Sequence, residues 1–452
     1  MDPMTNNENN DKRIAVIADD LTGANDTGVQ FAKQGLKTIV LMGGNIPPRP
    51  LEEDVLVVDS QSRALDPEEA YRNVSKAARM FRDRRFGVVF KKIDSTLRGN
   101  IGREIDAIMD TCGQELAIVA PAFPKNGRTT VGGFHLLQGA PLEETELARD
   151  PKCPITESHL PTLLSKQTVR RVGHVAADDV HAGAEGIRLA MERMLAAGER
   201  VIVCDAWRDE HLSMHASAAM RLGKPVLWVG SAGLAECLPQ ALGLAAAKAG
   251  NGAGKDGLAG REAVVVLAGS VSDVTRGQVR MLTRRPGVES VDADPCALLR
   301  PDTAGAEIRR CSGAALAAAK AGRDVVITSG NDRESVERTM ETASSMGFSS
   351  QRTAEMIASA FGLLCREIAT NTKLRGLVLT GGDIALSALS LLSATGFQVV
   401  EEVAPGIPAG RLKGGPCDGL RVVTKAGAFG DGDALCRAVD CLKRDEPEGN
   451  GR

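Results

Sequence analysis

The sequence predicts an α/β protein of two domains, each a mainly parallel sheet flanked by helices. Three observations carry this reading. Short apolar runs alternate with longer amphipathic segments through most of the chain, the pattern of strand–helix units that build parallel sheets. The 452 residues exceed what one hydrophobic core ordinarily serves. The 49 glycines fall mostly just after the apolar runs, where a backbone turns or approaches a ligand.

Taken in order, the strand candidates of the first half are Ile14–Ala18, Thr38–Leu41, Val55–Val58, Val88–Phe90, Leu116–Ala120, Val201–Cys204 and Val226–Val229. Helical patterns lie between most of them, as over Pro67–Arg84 and Ile101–Thr111. The second half repeats the style with Ala263–Ala268, Asp324–Thr328, Leu377–Thr380, Gln398–Val400 and Arg421–Thr424. Between the halves, Ala245–Arg261 reads as a helix end followed by a flexible Ala/Gly/Lys linker. The predicted organisation is a disordered leader over 1–13, a first domain over 14–249, a linker over 250–261 and a second domain over 262–452. Pro121–Leu160 carries no sustained period of either kind, so it is either a functional lid or an arm that packs on a second copy in a homo-oligomer.

Composition narrows the function. Charges nearly cancel at a formal −3, which argues against a partner in nucleic acid or an anionic membrane. Aromatic residues, at 3%, are too few for base-stacking platforms. Ten scattered cysteines without a C-x-x-C pair suit free thiols in a reducing compartment. The polar N-terminus lacks the apolar core of a signal peptide. Ile384–Val400, the least charged stretch, is too short for a membrane span and reads as a buried helix and strand. Together these features predict a cytoplasmic protein.

Ligands of an open parallel sheet bind beyond the carboxyl ends of its strands, so the residues after each strand matter most. Three strands of the first half are followed by Asp19-Asp20-Leu21-Thr22-Gly23, by Asp59-Ser60-Gln61-Ser62-Arg63, and by Lys91-Lys92-Ile93-Asp94-Ser95-Thr96-Leu97-Arg98. Arg63, Lys91, Lys92 and Arg98 are suited to holding an anionic substrate, and Asp20 and Asp94 to binding hydroxyls or accepting a proton. The plainer alternative is that each acid only caps the next helix. In the second half the strands are followed by Gly269-Ser270-Val271-Ser272, by Gly381-Gly382-Asp383, and by Lys425-Ala426-Gly427-Ala428-Phe429-Gly430. Small residues between a strand and a helix N-terminus let phosphate oxygens reach free backbone N–H groups. Glycine is also the default turn residue, so only the three loops together suggest a nucleotide.

Sharper motifs are missing. Gly250–Lys255 lacks the spacing, the preceding strand and the hydroxyl of a G-x-x-x-x-G-K-[ST] loop, and no G-x-G-x-x-G follows the first strand, which disfavours a nicotinamide or flavin enzyme. His211 and His215 are spaced i, i+4, but Leu212 stands where a zinc-protease motif needs glutamate.

The strings IADDLTGANDTGVQFAKQG, VVDSQSR, FKKIDSTLRGNIGREIDA and APAFPKNGRTTVGGFHLLQGAPLEETELARDP resemble the N-terminal domain of the four-carbon acid sugar kinases. GSVSDVTRGQV, LTGGDIA and TKAGAFGDGDAL resemble that family's C-terminal nucleotide-binding domain, and the likeness runs from about Ile14 to Leu442. The resemblance implies ATP-dependent phosphorylation of the terminal hydroxyl of D-threonate, D-erythronate or 3-oxo-tetronate, with D-threonate the leading expectation. It implies that Asp20, Arg63 and Lys91–Ser95 line an acid-sugar site, and that Ser272, Gly381–Asp383 and the Gly427 region hold ATP. It departs from the family at Ile384, where a threonine is usual, and at Ala426 and Ala428 within a KSGGFG-like string.

The combined expectation is a sugar-acid kinase with its active site in the cleft between the two domains. Arg63 and Lys92 would grip the substrate carboxylate, Asp94 would accept the proton with Asp20 as competitor, and Asp383 would meet Mg²⁺ directly or through water. The rival from another class is a catalytically silent sugar-acid and nucleotide sensor on the same frame.

Overall fold

The computed structural model describes residues 13–42, 52–84, 86–149, 153–244, 262–269, 272–330, 333–427 and 429–444. The expected linker over 250–261 lies outside these, as does the leader apart from Arg13. The chain divides into two compact units, Met1–Lys248 and Ala249–Arg452.

The first unit contains β1 (Ile14–Ala18), β2 (Thr38–Leu41), β3 (Val55–Asp59), β4 (Val88–Lys92), β5 (Leu116–Ala120), β6 (Arg128–Val131), β7 (Phe134–Leu137), β8 (Ala140–Pro141), β9 (Val172–Val175), β10 (Val201–Cys204) and β11 (Val226–Gly230). Eight of them form a wholly parallel sheet in the order β2-β3-β1-β4-β11-β5-β10-β9. Its central strands are apolar and buried end to end because helices cover both faces, which is why they stand out as uninterrupted apolar runs. Ala18 lies level with Asp59 on one side and with Lys92 on the other, so β1, β3 and β4 end at a common edge.

Two differences from the sequence expectation matter. β4 runs on to Lys92, past the last apolar residue, so Lys91 and Lys92 are strand residues pointing to opposite faces. Pro121–Leu160 is structured within its own unit: β6, β7 and β8 form a small antiparallel sheet. Its turns are Gly132-Gly133 and Gln138-Gly139, all four residues at positive φ as two-residue hairpin turns require. Four-residue strands are too short to show a period, and the Gly-Gly pair was their one sequence signal.

The second unit contains β12 (Ala263–Ala268), β13 (Val288–Asp292), β14 (Asp324–Thr328), β15 (Leu374–Thr380), β16 (Gly396–Ala404), β17 (Ile407–Lys413) and β18 (Arg421–Lys425). Strands β13-β14-β12-β15-β18 are parallel neighbours, and β17 and β16 continue antiparallel beside β18. Ala268 is level with Thr328 and Thr380, and Thr380 with Lys425, which again gathers the following loops at one edge. Ile384–Val400 forms part of a helix (Gly382–Leu391) and of β16, as its apolar pattern suggested. Among the described residues no helix is long and apolar enough to cross a membrane. None of the ten cysteines is in a disulfide.

Candidate active site

At the common edge of β1, β3 and β4 the polar side chains neutralise one another. Arg63 donates from Nε and Nη2 to Asp19 (2.7 and 3.1 Å) and from Nη1 and Nη2 to Asp20 (both 2.7 Å). Asp20 also caps the helix Leu21–Lys33, accepting the Gly23 N–H at 2.7 Å. Helix capping and ion pairing with Arg63 therefore coexist in one carboxylate. Burial pushes Asp20 up, Arg63 pulls it back and the adjacent Asp19 carboxylate raises it again, with a net upward direction. Asp19, against the same burial, is held low by Arg63 and the two lysines.

Asp94 takes Arg98 in a two-pronged pair, Nε at 2.7 Å and Nη2 at 3.2 Å, and accepts a hydrogen bond from Thr96. Burial alone would raise Asp94, but Arg63, Arg98 and Thr96 hold it well below the usual carboxylate range. A carboxylate so stabilised is a poor proton acceptor, contrary to the role expected of it. Asp59 ends β3 with Oδ1 on the Gln61 N–H and a buried Oδ2 that meets no hydrogen-bond partner. Burial pushes Asp59 up to about 7, with Asp20 and Asp19 acting in the same direction. Gln61 and Leu97, in the loops after β3 and β4, are non-glycine residues at positive φ (50° and 63°).

Of the four expected cations, three are committed to protein carboxylates. Lys91 is wholly buried and pairs with Glu104 at 2.8 Å, so it supports the sheet edge from behind instead of contacting substrate. Arg63 cannot grip a carboxylate through a free fork, because four of its N–H donors go to Asp19 and Asp20. Arg98 serves Asp94. Lys92 is different: its ammonium donates to the Ile93 carbonyl at 2.9 Å and forms no ion pair among the described residues. The Ser95 carbonyl accepts the Nε2–H of His135 at 3.0 Å, which ties the β6–β7 hairpin to the Asp94 loop.

In the second unit a cavity of about 360 Å³ is lined by Gly269, Gly381, Gly382, Asp383 and Ile384 together with apolar side chains such as Met340 and Ile357. Gly381 sits at φ 99°, and its N–H bonds the Lys425 carbonyl at 2.9 Å. The next loop curls around the Lys425 ammonium, which donates to the carbonyls of Ala426, Gly427 and Phe429 (2.8, 2.9 and 3.0 Å). Burial lowers Lys425 to about 8. Ser272 is the N-cap residue of the helix Asp273–Thr283, whose Thr275 donates to the Gly427 carbonyl at 2.6 Å. The expected ATP residues are thus brought to one edge, while Ala428 lies outside the described residues.

Comparison with known proteins agrees with this division of labour. The family model of a sugar-binding N-terminal domain matches residues 14–238, and that of a nucleotide-binding C-terminal domain matches residues 265–435. The chain is 37% identical to the D-threonate kinase of Salmonella typhimurium, covering 94% of this chain and 97% of that one. It is 35% identical to the D-erythronate kinase of Heliobacterium modesticaldum, covering 95% and 97%.

The chain belongs to the four-carbon acid sugar kinase family.

A crystal structure of a Salmonella typhimurium LT2 protein superposes with a TM-score of 0.79 at 26% identity, over 94% of this chain and 98% of that one. The matched family models are of a sugar-binding domain over the first unit and a nucleotide-binding domain over the second. The structure places beside these edges further polar residues to which the sequence assigned no role. Asp19 and Asp59 stood in the quoted strings but drew no role, since only the fold shows which acid faces which cation. Lys425 closes β18 directly before a glycine loop, a placement that could have marked it. Arg128 lay in the segment without period.

Among the described residues no three His, Cys, Asp or Glu side chains converge on a metal site. Asp383 lies on the cavity wall.

Proposed function

We propose that this chain transfers the γ-phosphoryl group of ATP to the terminal hydroxyl of a four-carbon sugar acid, with D-threonate the first candidate and D-erythronate and 3-oxo-tetronate the alternatives. The observation that carries it is the pairing of two different edges in one family member: a fixed constellation of carboxylates and cations for a polyhydroxy acid, and a glycine-lined cavity for a nucleotide. The acceptor oxygen attacks the γ-phosphorus, the bond to the β,γ-bridging oxygen breaks, and ADP leaves. Positioning and charge stabilisation dominate such a transfer.

Lys92 meets the acid's negative charge. Asp20, the more exposed and more basic of the two rival carboxylates, takes the hydroxyl proton, while Asp94 and Arg98 orient the hydroxyls. The first-turn N–H groups of the helix Gly382–Leu391, from Gly382 and Asp383, face the phosphates, and Asp383 would hold a Mg²⁺ ion that supplies positive charge there.

The test is ADP release from Mg-ATP with D-threonate, D-erythronate, L-threonate and 3-oxo-tetronate offered separately. Turnover with one acid well above the rest supports the proposal and names the substrate. Silence with all four while ATP still binds points to the sensor. Asp20→Asn should cost more in kcat than Asp94→Asn; the reverse order returns the base to Asp94.

A further inference from the structure

We infer that Arg128, at the start of β6, is the guanidinium that reads the substrate's carboxylate. This rests on the proposal of a sugar-acid substrate and assigns the part of it that Arg63 cannot perform. A bidentate carboxylate anchor needs an arginine whose donors are not already on a protein acid. Arg63 is locked to Asp19 and Asp20, and Arg98 to Asp94. Arg128 forms no ion pair among the described residues. Its Nη1 donates to the Asn126 carbonyl at 2.8 Å, and its Nε is enclosed by protein with no hydrogen-bond acceptor in reach. Withdrawing a cation from water without a paired anion is costly, so such a group persists where a ligand completes it.

The backbone that carries Arg128 is fixed. Phe123 and Arg128 exchange both backbone hydrogen bonds, at 2.8 and 3.2 Å. Thr130 and Ala206 do the same at 2.8 and 2.9 Å. The hairpin tip donates the Gly132 and Gly133 N–H groups to the buried Asp205, at 2.6 and 2.9 Å. His135, held by Thr130 at Nδ1, reaches the Ser95 carbonyl with Nε2. The lid-like segment is therefore clamped at its tip and along its side, beside the loop that carries Asp94. Asp94 and Asp26 lie near enough to offset part of the Arg128 charge without pairing with it. A clamped cation without an ion pair, close to the Asp94 carboxylate, is the pre-organised form of an acid anchor.

The deciding experiment compares wild type, Arg128→Gln and Arg128→Lys in two measurements. Steady-state kinetics give kcat/KM for the best acid, and calorimetry beside a non-hydrolysable ATP analogue gives affinities for that acid and for its neutral amide. In wild type the acid should bind at least tenfold tighter than the amide. Arg128→Gln should lose about ten- to a thousandfold on the acid, leave amide and ATP affinities within twofold, and bring the acid/amide ratio near one. Arg128→Lys, which keeps the charge without the fork, should fall between. If Arg128 only braces the hairpin, acid and amide weaken together and the ratio holds, which overturns the inference. Should Arg128→Gln not fold, an Arg128→Lys ratio equal to wild type overturns it as well. A wild type that phosphorylates and binds no four-carbon acid defeats the underlying proposal instead, and the inference with it.

Discussion

The two candidate edges present their polar groups in different ways. In the first unit the polar groups belong to side chains and are already partnered, Arg63 with Asp19 and Asp20, Arg98 with Asp94, and Lys91 with Glu104. In the second unit Gly269, Gly381 and Gly382 leave backbone open on the wall of a largely apolar cavity, beside Asp383 and hydroxyl side chains such as Ser329 and Thr353. A side-chain constellation can distinguish one hydroxyl stereochemistry from another, because each group occupies a fixed direction. A backbone cradle reads only what all nucleotides share. The contrast also predicts fragility: single substitutions should hurt the first edge through unpaired charge, and the second chiefly through backbone conformation.

The sharpest break in that comparison is Lys91→Met. It leaves Glu104 buried without its cation, and removing one partner of a buried pair costs about 3–5 kcal/mol. Lys91→Met with Glu104→Met removes both charges and should recover most of that loss. Urea unfolding followed by tryptophan fluorescence reads the right unit, since Trp207 and Trp228 both belong to the first. Equal stabilities of the single and double variants would show that the pair contributes little.

A smaller effect, opposite in sign, is expected at Asp59. Its carboxyl titrates near 7 in the fold against 3.8 as an ordinary aspartate, so between those values the folded protein holds more protons than the unfolded chain. Stability due to this group therefore falls as pH rises from about 4 to about 7 and stays at its low level above. Asp59→Asn removes that cost, though its amide must then sit where the unpartnered Oδ2 was. The net gain should be about 1–3 kcal/mol at pH 8 and should vanish near pH 4. Thermal unfolding across that range checks it; a gain independent of pH would mean that Asp59 is ionised throughout.

How much of this was legible in the sequence follows the same division. The ends of β1 and β3 could be placed within a residue, because a parallel strand buried on both faces is an apolar run with a visible end. β4 could not, because its last two residues are lysines and only the fold supplies the Glu104 that lets Lys91 stay inside. The acids and cations at the sugar edge could be named from position alone. Which acid neutralises which cation is a tertiary fact, so Arg63 read as a free anchor and Arg128 went unread. On the second unit's edge the cue was local, a glycine loop after a strand. Gly381–Asp383 line a cavity.

That local signal also sets the third prediction, Gly381→Ala. A Cβ there would meet nothing within 4 Å, so no clash is involved. The φ of 99° is the whole cost, about 1–3 kcal/mol for a residue with a side chain. If the loop relaxes to avoid it, the strain appears instead as a raised KM for ATP with the KM for the acid unchanged. Gly113→Ala, at φ 75° and equally open but in the first unit, serves as the control that should leave ATP binding alone.

The mildest test concerns the family's missing hydroxyl. Ile384 follows Asp383 in the cavity wall, and its Cδ1 occupies the space into which a Cβ on Gly269 would project, 2.5 Å away. It therefore contributes apolar packing at a place where a threonine would offer a donor to phosphate. A net hydrogen bond is worth about 0.5–1.5 kcal/mol. The methylenes lost on changing Ile384 to threonine remove a comparable amount of packing. The two effects oppose each other, so Ile384→Thr should move ATP affinity by less than about tenfold while lowering the stability of the second unit slightly. Titration of ATP into both proteins would show it. A gain well beyond tenfold would mean that a side-chain hydroxyl, and not the backbone cradle, is what holds the nucleotide in this family. The contrast between the two edges would then be one of residue choice in this chain instead of one of design.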